Sequence, residues 1–410
     1  MRSRPPYLDT RTGRVFSALA LGLAFATAVG VAVLWPGGRP DLELAAGFAG
    51  DTERAEVVGV TSEPCPPPQE GYCRSADVRL ESGPDEGETT TLELGAGAAA
   101  PELHPGDAIR VTATVTTPAT PGSPTGPDAA AAGQLPPYSF ADYERRSPML
   151  WLAIAFAVLV VAFARLRGAL SLLGLGLSLA IVVGFIVPAI LDGEPPVAVA
   201  LVGSMAVMFV TIALAHGLGA KSLAAIIGTA ASLLLVAALA SVFTDLTHLT
   251  GRSSEEATLL QIGGLDVDFQ GLLLAGVLIA ALGVLDDVTV SQASTVIALR
   301  GASPELRFGE LYRRALTVGR DHVSATVNTL VLAYAGSSLP VLLILGTGGV
   351  GIVDALNAEL VAKEVVGTLV GSIGLIAAVP ITTAVAGLLA GGLEPEALEE
   401  DAQGAPAHAH

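Results

Sequence analysis

The sequence predicts an α-helical polytopic membrane protein with about eight transmembrane helices and a small extracytoplasmic β-domain. Three observations lead to this fold class. First, 51% of the 410 residues are apolar and only 15% are charged, and the mean hydropathy is +0.63; an ordinary soluble domain is about 25% charged. Second, the chain contains eight apolar stretches of roughly the 20 residues that a helix needs to cross a bilayer. Third, residues 36–147 lack such stretches and are rich in Pro, Gly, Thr and acidic residues.

The predicted spans are apolar runs that contain few or no charged residues. They cover residues 16–35, 148–164, 169–190, 197–217, 222–243, 269–290, 322–345 and 365–391. The second is the shortest, and Trp151 near its start is typical of a membrane interface. The first could instead be a signal peptide, because Arg14 precedes it, but no small-residue cleavage site follows. We therefore expect a retained anchor.

Basic residues predict the orientation of the spans. If the arginine-rich N-terminal tail is cytoplasmic, the short external loops hold only Arg252 and Lys363, as the positive-inside rule requires. Both termini are then cytoplasmic. The predicted order is a cytoplasmic tail (1–15), an anchor (16–35), an extracytoplasmic β-domain with a linker (36–147), a seven-helix bundle (148–391) and an acidic cytoplasmic tail (392–410).

The external segment has the pattern of a small β-domain, OB-like or barrel-like. Short alternating stretches at residues 55–60, 76–80, 89–94 and 108–115 are bounded by Gly, Pro or Asp, which is typical of strands. Residues 117–137 have the composition of a linker. Residues 138–146 are expected to form a collar at the membrane interface before the second span.

Two cysteines, Cys65 and Cys73, lie in this segment, eight positions apart across a Pro- and Gly-rich loop. An extracytoplasmic compartment permits a disulfide between them. The alternative is a zinc pair, but no second pair of ligands lies nearby in the sequence. The disulfide is the favoured prediction, and no metal site is expected.

An acidic pair in the sixth span is the main candidate for function, because ionisable residues inside a membrane are costly. On a continuing helix, Asp287, Ser291 and Ser294 share one face, and Asp286 lies beside them. Two adjacent carboxylates can share a proton or bind a cation. Alternatively, the spanning part ends at Leu285 and the pair lies in water at the cytoplasmic interface.

The seventh span begins with polar residues. We expect Thr326, Asn328, Thr329 and Tyr334 to meet the acidic pair in the cytoplasmic half of the bundle, since both spans join the same cytoplasmic loop. The alternative is that these side chains only form hydrogen bonds with neighbouring helices.

In the last span, Gly367, Gly371 and Gly374 follow the spacing that lets helices approach closely. Helix packing is the expected role of these glycines. Pro380 is expected to bend this span, with Thr382 and Thr383 placed to satisfy the carbonyl groups that the proline leaves unpaired.

Several of these motifs resemble those of YibE/F-like membrane proteins. The similarity lies in Asp286 with the serines after it, in Asn328-Thr329-Leu330-x-x-Ala333-Tyr334-x-Gly336-x-x-x-Pro340, and in the runs 371–382, 106–107 and 138–146. It covers about residues 50–392. The resemblance implies a bacterial inner-membrane protein with one N-terminal helix, an external domain and a helical bundle. It implies no substrate, because the activity of the family is not settled. Asp287 stands where a small apolar residue is usual, which makes Asp286 the better candidate.

The function expected from the sequence is that of a secondary transporter or permease, coupled to protons or cations. The alternative is a non-enzymatic sensor or assembly protein whose external β-domain binds a partner. No ATP-binding motif or catalytic triad is found, so we expect no enzyme activity and no cofactor, and an intramembrane enzyme is the third and least favoured alternative. The formal net charge of −18 argues against a nucleic-acid partner. The expected partners are the lipid bilayer and a small solute or cation.

Overall fold

The structure is a computed structural model that describes residues 6–38, 52–65, 71–97, 100–113, 137–263, 265, 267–349 and 351–393. The chain divides into two compact units, residues 41–159 and residues 1–40 with 160–410. Each unit is described separately. Most of the predicted linker and all but the first two residues of the predicted acidic tail lie outside the described residues.

The smaller unit is one antiparallel half-barrel sheet. Its strands are β1 (Thr52–Pro64), β2 (Tyr72–Leu80), β3 (Thr89–Ala96), β4 (Ala108–Ala113) and β5 (Tyr138–Tyr143). Their order in the sheet is β3-β2-β1-β4-β5. The two edge strands, β3 and β5, also approach each other, so the sheet curls on itself.

One face of the sheet carries the core of this unit. Buried residues alternate along each strand, as Ala55 and Val57 do in β1 and Ile109 and Val111 do in β4. This alternation is the pattern expected when one face of an antiparallel sheet is covered. The four predicted strands therefore coincide with β1 to β4, although β1 continues well beyond its predicted end at residue 60.

A fifth strand, which the sequence did not predict, occupies most of residues 138–146, the segment expected to form an interfacial collar. Tyr138–Tyr143 pairs with β4 along its length. Tyr138 is buried in the core, and its hydroxyl donates a 2.6 Å hydrogen bond to Asp85. The two aromatic rings of Phe140 and Tyr143 pack at the edge of the same core. These aromatic rings therefore belong to the core of the smaller unit.

A disulfide closes the hairpin between β1 and β2. Cys65 and Cys73 are bonded, with their Cα atoms 4.9 Å apart. The Cys65 N–H donates to the Gly71 carbonyl at 2.9 Å, which tightens the same end of the hairpin. The disulfide therefore fixes the part of the hairpin that lies furthest from the core.

The helices follow the predicted apolar stretches closely. They are α1 (Arg11–Val33), α2 (Arg146–Leu191), α3 (Pro196–His216), α4 (Ala220–Leu246), α5 (Glu255–Ile262), α6 (Phe269–Ala302), α7 (Phe308–Ser337), α8 (Leu339–Thr347), α9 (Ile352–Asn357) and α10 (Glu359–Ala390). Within the described ranges, six are long and apolar enough to cross a membrane: α1, α2, α3, α4, α6 and α10. The pair α7–α8, bent by 57°, makes a seventh if it counts as one span.

The predicted number of eight spans is not supported, since the described ranges give six, or seven with the bent pair. The second and third predicted spans lie together in the 46-residue stretch α2, which breaks between them. This stretch contains a non-helical residue, Arg165, at φ 53° and ψ −131°. A Cβ added to Gly168 would lie 2.5 Å from the Val160 carbonyl oxygen. In a straight helix these residues are about 12 Å apart along the axis, so the chain turns sharply at Arg165.

Three helices, α4, α6 and α10, form the centre of the larger unit. They pack against one another, while α3 packs on α6, α7 packs on α10, and α1 packs on α3 and α4. Fully buried leucines fill the centre, including Leu233, Leu278, Leu285 and Leu375. Among the described residues, the apolar core of the larger unit has three clusters, and α1 joins the largest of them through Ala20.

Candidate functional site

A polar cavity lies between the part of α2 after Arg165, α3 and α6. Its volume is about 580 Å³. The lining consists of hydroxyls, two carboxylates, one imidazole and small apolar groups, from Ser171, Gly174, Leu175, Ser178, Thr211, Ala215, His216, Gly283, Asp286, Asp287, Val290, Ser291 and Ser294. The predicted polar face of the sixth span therefore lines a cavity.

Asp286 is the most enclosed charged group of this cavity. Its Oδ2 accepts a 3.1 Å hydrogen bond from the hydroxyl of Thr211 on α3. Its Oδ1 is inaccessible to solvent and has no hydrogen-bond partner among the described residues. Such an oxygen is costly to bury. One oxygen of the carboxylate is thus held in place, and the other still requires a donor.

Asp287 has a different environment, since its side chain is exposed. The structure therefore separates the acidic pair that the sequence treats together. Asp286 lies 17 residues after the start of α6 at Phe269, or about 25 Å along the helix at 1.5 Å per residue. A hydrocarbon core is about 30 Å thick, so the pair lies toward the C-terminal end of a span.

Basic side chains line an adjoining cavity. A second cavity, of about 310 Å³, shares Ser171, Ala215 and His216 with the first. Arg167 of α2 and Lys221 of α4 line this second cavity. Lys221 is only 8% exposed, whereas Arg167 is exposed. His216 lies within electrostatic reach of Lys221, Arg167 and Asp287. The two cavities together therefore form one groove with an acidic end and a basic end.

The polar residues predicted in the seventh span do not line this groove. Thr326 and Thr329 donate to carbonyl groups of their own helix, α7, and Asn328 is exposed. Tyr334 is half-buried and lies within electrostatic reach of Glu364 on α10. The face of α7 that meets α6 and α10 is apolar and carries Val323 and Val327. Apolar packing therefore determines which side of α7 turns inward, and its polar side points away.

A separate set of buried polar side chains joins the central helices. The hydroxyls of Thr229 on α4 and Thr289 on α6 lie 2.6 Å apart. The amide of Gln292 donates to Thr383 on α10 at 2.7 Å and to the Ala315 carbonyl on α7 at 3.0 Å. Thr383 in turn donates to the Val379 carbonyl within α10. Because both hydrogens of the Gln292 amide are bonded, the arrangement joins three helices.

The three glycines of the last span contact three different helices. An added Cβ at Gly374 would lie 2.2 Å from Val236 on α4, at Gly367 3.4 Å from Val277 on α6, and at Gly371 3.7 Å from Leu330 on α7. Only the first distance is too short for any side chain. The spacing alone would suggest that the three glycines form one face against one helix. In the structure they face three different helices.

The comparison with known families covers the part of the chain that contains the groove. The family model for YibE/F-like proteins matches residues 152–392, which is more than half of the chain. The chain belongs to the YibE/F-like family. No curated protein and no solved structure matches it. Family membership and the apolar helices together indicate a membrane protein.

Four polar residues of the first cavity in this YibE/F-like chain were not predicted from the sequence, namely Ser171 and Ser178 on α2 and Thr211 and His216 on α3. Thr211 interrupts the apolar run of α3, and His216 ends that helix. Each was a lone polar residue with no local motif around it. Their roles depend on α3 packing against α6, which places residues far apart in sequence side by side. A threonine inside a largely apolar span was the available signal for Thr211.

Proposed function

We propose that this YibE/F-like protein is a secondary transporter or permease, not an enzyme, in which Asp286 is a proton- or cation-responsive residue of the solute pathway. A single observation carries the proposal. Asp286 faces a cavity of about 580 Å³, with one carboxylate oxygen bonded to Thr211 and the other buried without a partner among the described residues.

The chemistry of a partly buried carboxylate supports this role. Its charged form is disfavoured there unless a cation, a proton or a hydrogen-bond donor meets it. The other charged or titratable groups lining the groove are Asp287, His216, Arg167 and Lys221. A change of protonation or occupancy at Asp286 would therefore change the balance of charge along the whole groove.

The proposed location is the bacterial inner membrane, with both termini and the groove facing the cytoplasm. Most basic residues of the short loops then lie inside. The smaller unit is extracytoplasmic, where an oxidising compartment maintains the disulfide between Cys65 and Cys73. The lipid bilayer and a small solute or cation are the proposed partners.

The test compares the ion and metabolite content of bacterial cells that lack this protein with that of cells complemented by the wild type, by Asp286→Asn or by Asp321→Asn. The first variant keeps the shape of the side chain and removes its charge. The second is the matched control, because Asp321 is exposed on α7 and does not line the groove.

We expect wild type and Asp321→Asn to restore the content of at least one solute, while Asp286→Asn fails at equal abundance in the membrane. If Asp286→Asn and Asp287→Asn together restore every solute, the proposed role of the acidic groove is wrong. Membrane abundance measured for each variant separates loss of function from loss of protein.

The alternative function, a sensor or assembly protein, is favoured by one feature of the sheet. The strand order and the approach of β3 to β5 support an OB-like module, a fold that binds ligands across its strands. Among the described residues, β4 pairs with β1 only from Thr52 to Glu56. The edge of β1 beyond Glu56 carries the exposed side chains of Val58 and Val60. Such an edge can accept an added strand. The double variant Val58→Lys with Val60→Lys would abolish function under this alternative, whereas Asp286→Asn would not.

A further inference from the structure

Three arginines converge on one carboxylate in the smaller unit, where the sheet ends and α2 begins. Guanidinium nitrogens of Arg54, Arg110 and Arg146 lie 3.8, 3.6 and 3.9 Å from carboxylate oxygens of Glu144. The Glu144 side chain is only 6% exposed, so its carboxylate lies among the arginines. Three guanidinium groups around one carboxylate leave an excess of two positive charges.

The register of the sheet produces this cluster. Arg54 on β1 and Arg110 on β4 lie directly opposite each other in the antiparallel pair. Both point away from the core, because their chain neighbours Ala55 and Ile109 point into it. Like charges that lie opposite each other destabilise a sheet. Glu144, the residue after β5, reduces this repulsion but does not cancel the charge of the cluster.

The cluster retains hydrogen-bond donors. The distances to Glu144 are longer than those of hydrogen bonds. Within the described ranges, only Arg110 of the three arginines donates hydrogen bonds from its side chain, to the carbonyl and the hydroxyl of Thr52. Arg54 and Arg146 are exposed. Their guanidinium groups can therefore donate to a further anion with several oxygens, and the fork of donors on a guanidinium group matches a phosphate.

The cluster lies at the beginning of an apolar helical stretch. Arg146 is the first residue of α2, and the exposed side chains of Met149, Leu150, Trp151 and Leu152 follow it. Trp151 is five residues after Arg146, or about 7.5 Å along a helix. Tryptophan is enriched at the level of the lipid headgroups. The arginines therefore lie at the depth where a membrane presents its phosphates.

We propose that Arg54, Arg110 and Arg146 bind the phosphate of an anionic membrane lipid, and that this contact holds the sheet at the bilayer surface. The excess of positive charge favours a headgroup with net negative charge over one whose phosphate is balanced by an ammonium group. The exposed apolar residues from Met149 onward provide a surface for the acyl chains of the same lipid. The inference does not depend on the proposed transport function.

The test measures lipid enrichment around Trp151 in the full-length protein, reconstituted in nanodiscs. Trp35→Phe leaves Trp151 as the only tryptophan, since the chain contains two. Bromine atoms on acyl chains quench tryptophan fluorescence at close range. The nanodiscs contain phosphatidylcholine with a fixed share of phosphatidylglycerol, and the bromine is carried by one lipid or by the other. We expect the quenching to show an enrichment of phosphatidylglycerol of about fivefold or more.

Variants in the Trp35→Phe background test the cluster itself. Arg54→Gln with Arg146→Gln removes the excess charge and should abolish most of the enrichment. The matched control, Arg74→Gln with Arg79→Gln, removes the same charge from β2 and should retain it. Glu144→Gln should increase the enrichment, because it removes the one carboxylate among the arginines. A purely structural role of the cluster does not predict that increase.

Three results would overturn the inference. The first is equal enrichment of the two lipids around Trp151 in the protein that carries only Trp35→Phe. The second is an equal loss in the control double variant, which indicates a response to the overall charge of the sheet. The third is loss of the enrichment when inorganic phosphate is added at constant ionic strength, which indicates a site for free phosphate. Resistance of the smaller unit to proteolysis shows that each variant is folded.

Discussion

The hydroxyl of Thr211 donates a 3.1 Å hydrogen bond to Oδ2 of Asp286, and this bond joins α3 to α6 at the wall of the groove. It fixes the orientation of the carboxylate, so that Oδ1 is the oxygen left for a proton, a cation or a solute. Thr211 is thus a positioning residue for Asp286.

Replacing Thr211 by valine keeps the shape and removes the donor. Because a hydrogen bond to a charged group contributes about 1.5–3 kcal/mol, Thr211→Val should reduce the Asp286-dependent solute difference by about tenfold or more. Thr211→Ser restores a hydroxyl and should recover most of it. Solute content at equal membrane abundance is the measurement. A valine variant with wild-type function, or a serine variant as weak as valine, would contradict the positioning role.

The orientation proposed from the basic residues predicts the result of reporter fusions. Fusions near residue 80 and in the 350s should report an extracytoplasmic position, and fusions at 218, 310 and 405 a cytoplasmic one. Paired reporters that are active only outside or only inside the cell provide the measurement. A C-terminal fusion that reports outside would exclude the proposed arrangement of spans.

Cys65 and Cys73 should resist thiol reagents in mature protein and react after reduction. The double variant Cys65→Ser with Cys73→Ser opens a short loop between β1 and β2. It should lower the free energy of unfolding of the sheet by about 2–3 kcal/mol. Proteolysis of the smaller unit, compared with that of the reduced wild type, measures this loss. Labelling without reduction would show that the bond is absent in cells.

The Tyr138 hydroxyl should make the sheet sensitive to alkaline pH. Its hydrogen bond to Asp85, and then its burial, raise the pKa of Tyr138 well above its usual value. The folded sheet therefore keeps this proton where the unfolded chain, with a tyrosine pKa of about 10, releases it. The stabilisation of the folded sheet by this hydrogen bond is fully present below pH of about 10, and it is lost as the pH rises further toward the pKa of Tyr138 in the folded sheet.

Tyr138→Phe removes this titration and is the matched variant. At pH of about 8, tyrosine side chains are uncharged, and the unfolding midpoint of the variant should be lower than that of wild type. The difference between the two midpoints should shrink above pH of about 10. When both proteins are titrated and tyrosinate absorbance is followed, the variant should lack the transition that wild type shows at the highest pH. A constant difference between the two proteins at all pH values would show that the hydrogen bond does not control stability.

Gly374→Ala should destabilise the bundle, because the new methyl group would lie 2.2 Å from Val236. Valine is short and branched, so it cannot move aside, and overpacking of this kind costs about 1–3 kcal/mol. Gly371→Ala is the control, since its nearest neighbour is 3.7 Å away. Thermal unfolding in detergent should separate the two, and Val236→Ala should rescue Gly374→Ala. Equal midpoints for the two alanine variants would show that the bundle adjusts at this position.

Most of the helices and strands could be predicted from the sequence because their signals are local. A run of apolar residues indicates a span, and alternation indicates a strand, wherever they occur. The break at Arg165 was predicted as well, since Arg165 and Arg167 interrupt the apolar run between the predicted spans 148–164 and 169–190. By contrast, β5 was missed because Tyr138 and Phe140 also fit a membrane interface.

The site was predicted only as far as it lies on one helix. Asp286, Asp287, Ser291 and Ser294 share a face of α6, and that face lines the groove. The partners from other helices could not be predicted, since neighbours in the chain are not always neighbours in the bundle. The sequence favoured Asn328 on the next span, whereas the structure places Thr211 beside Asp286.

The position of α10 in the chain has a consequence for how the protein is made. It is the last of the described helices, yet it packs against α4, α6 and α7 in the centre of the larger unit. When the ribosome has completed α4 and α6, the helix that fits between them has not been synthesised, and Val236 still lacks the glycine surface it will meet. The inner faces of the earlier helices therefore stay uncovered until then, so tight assembly of the bundle cannot precede the synthesis of α10.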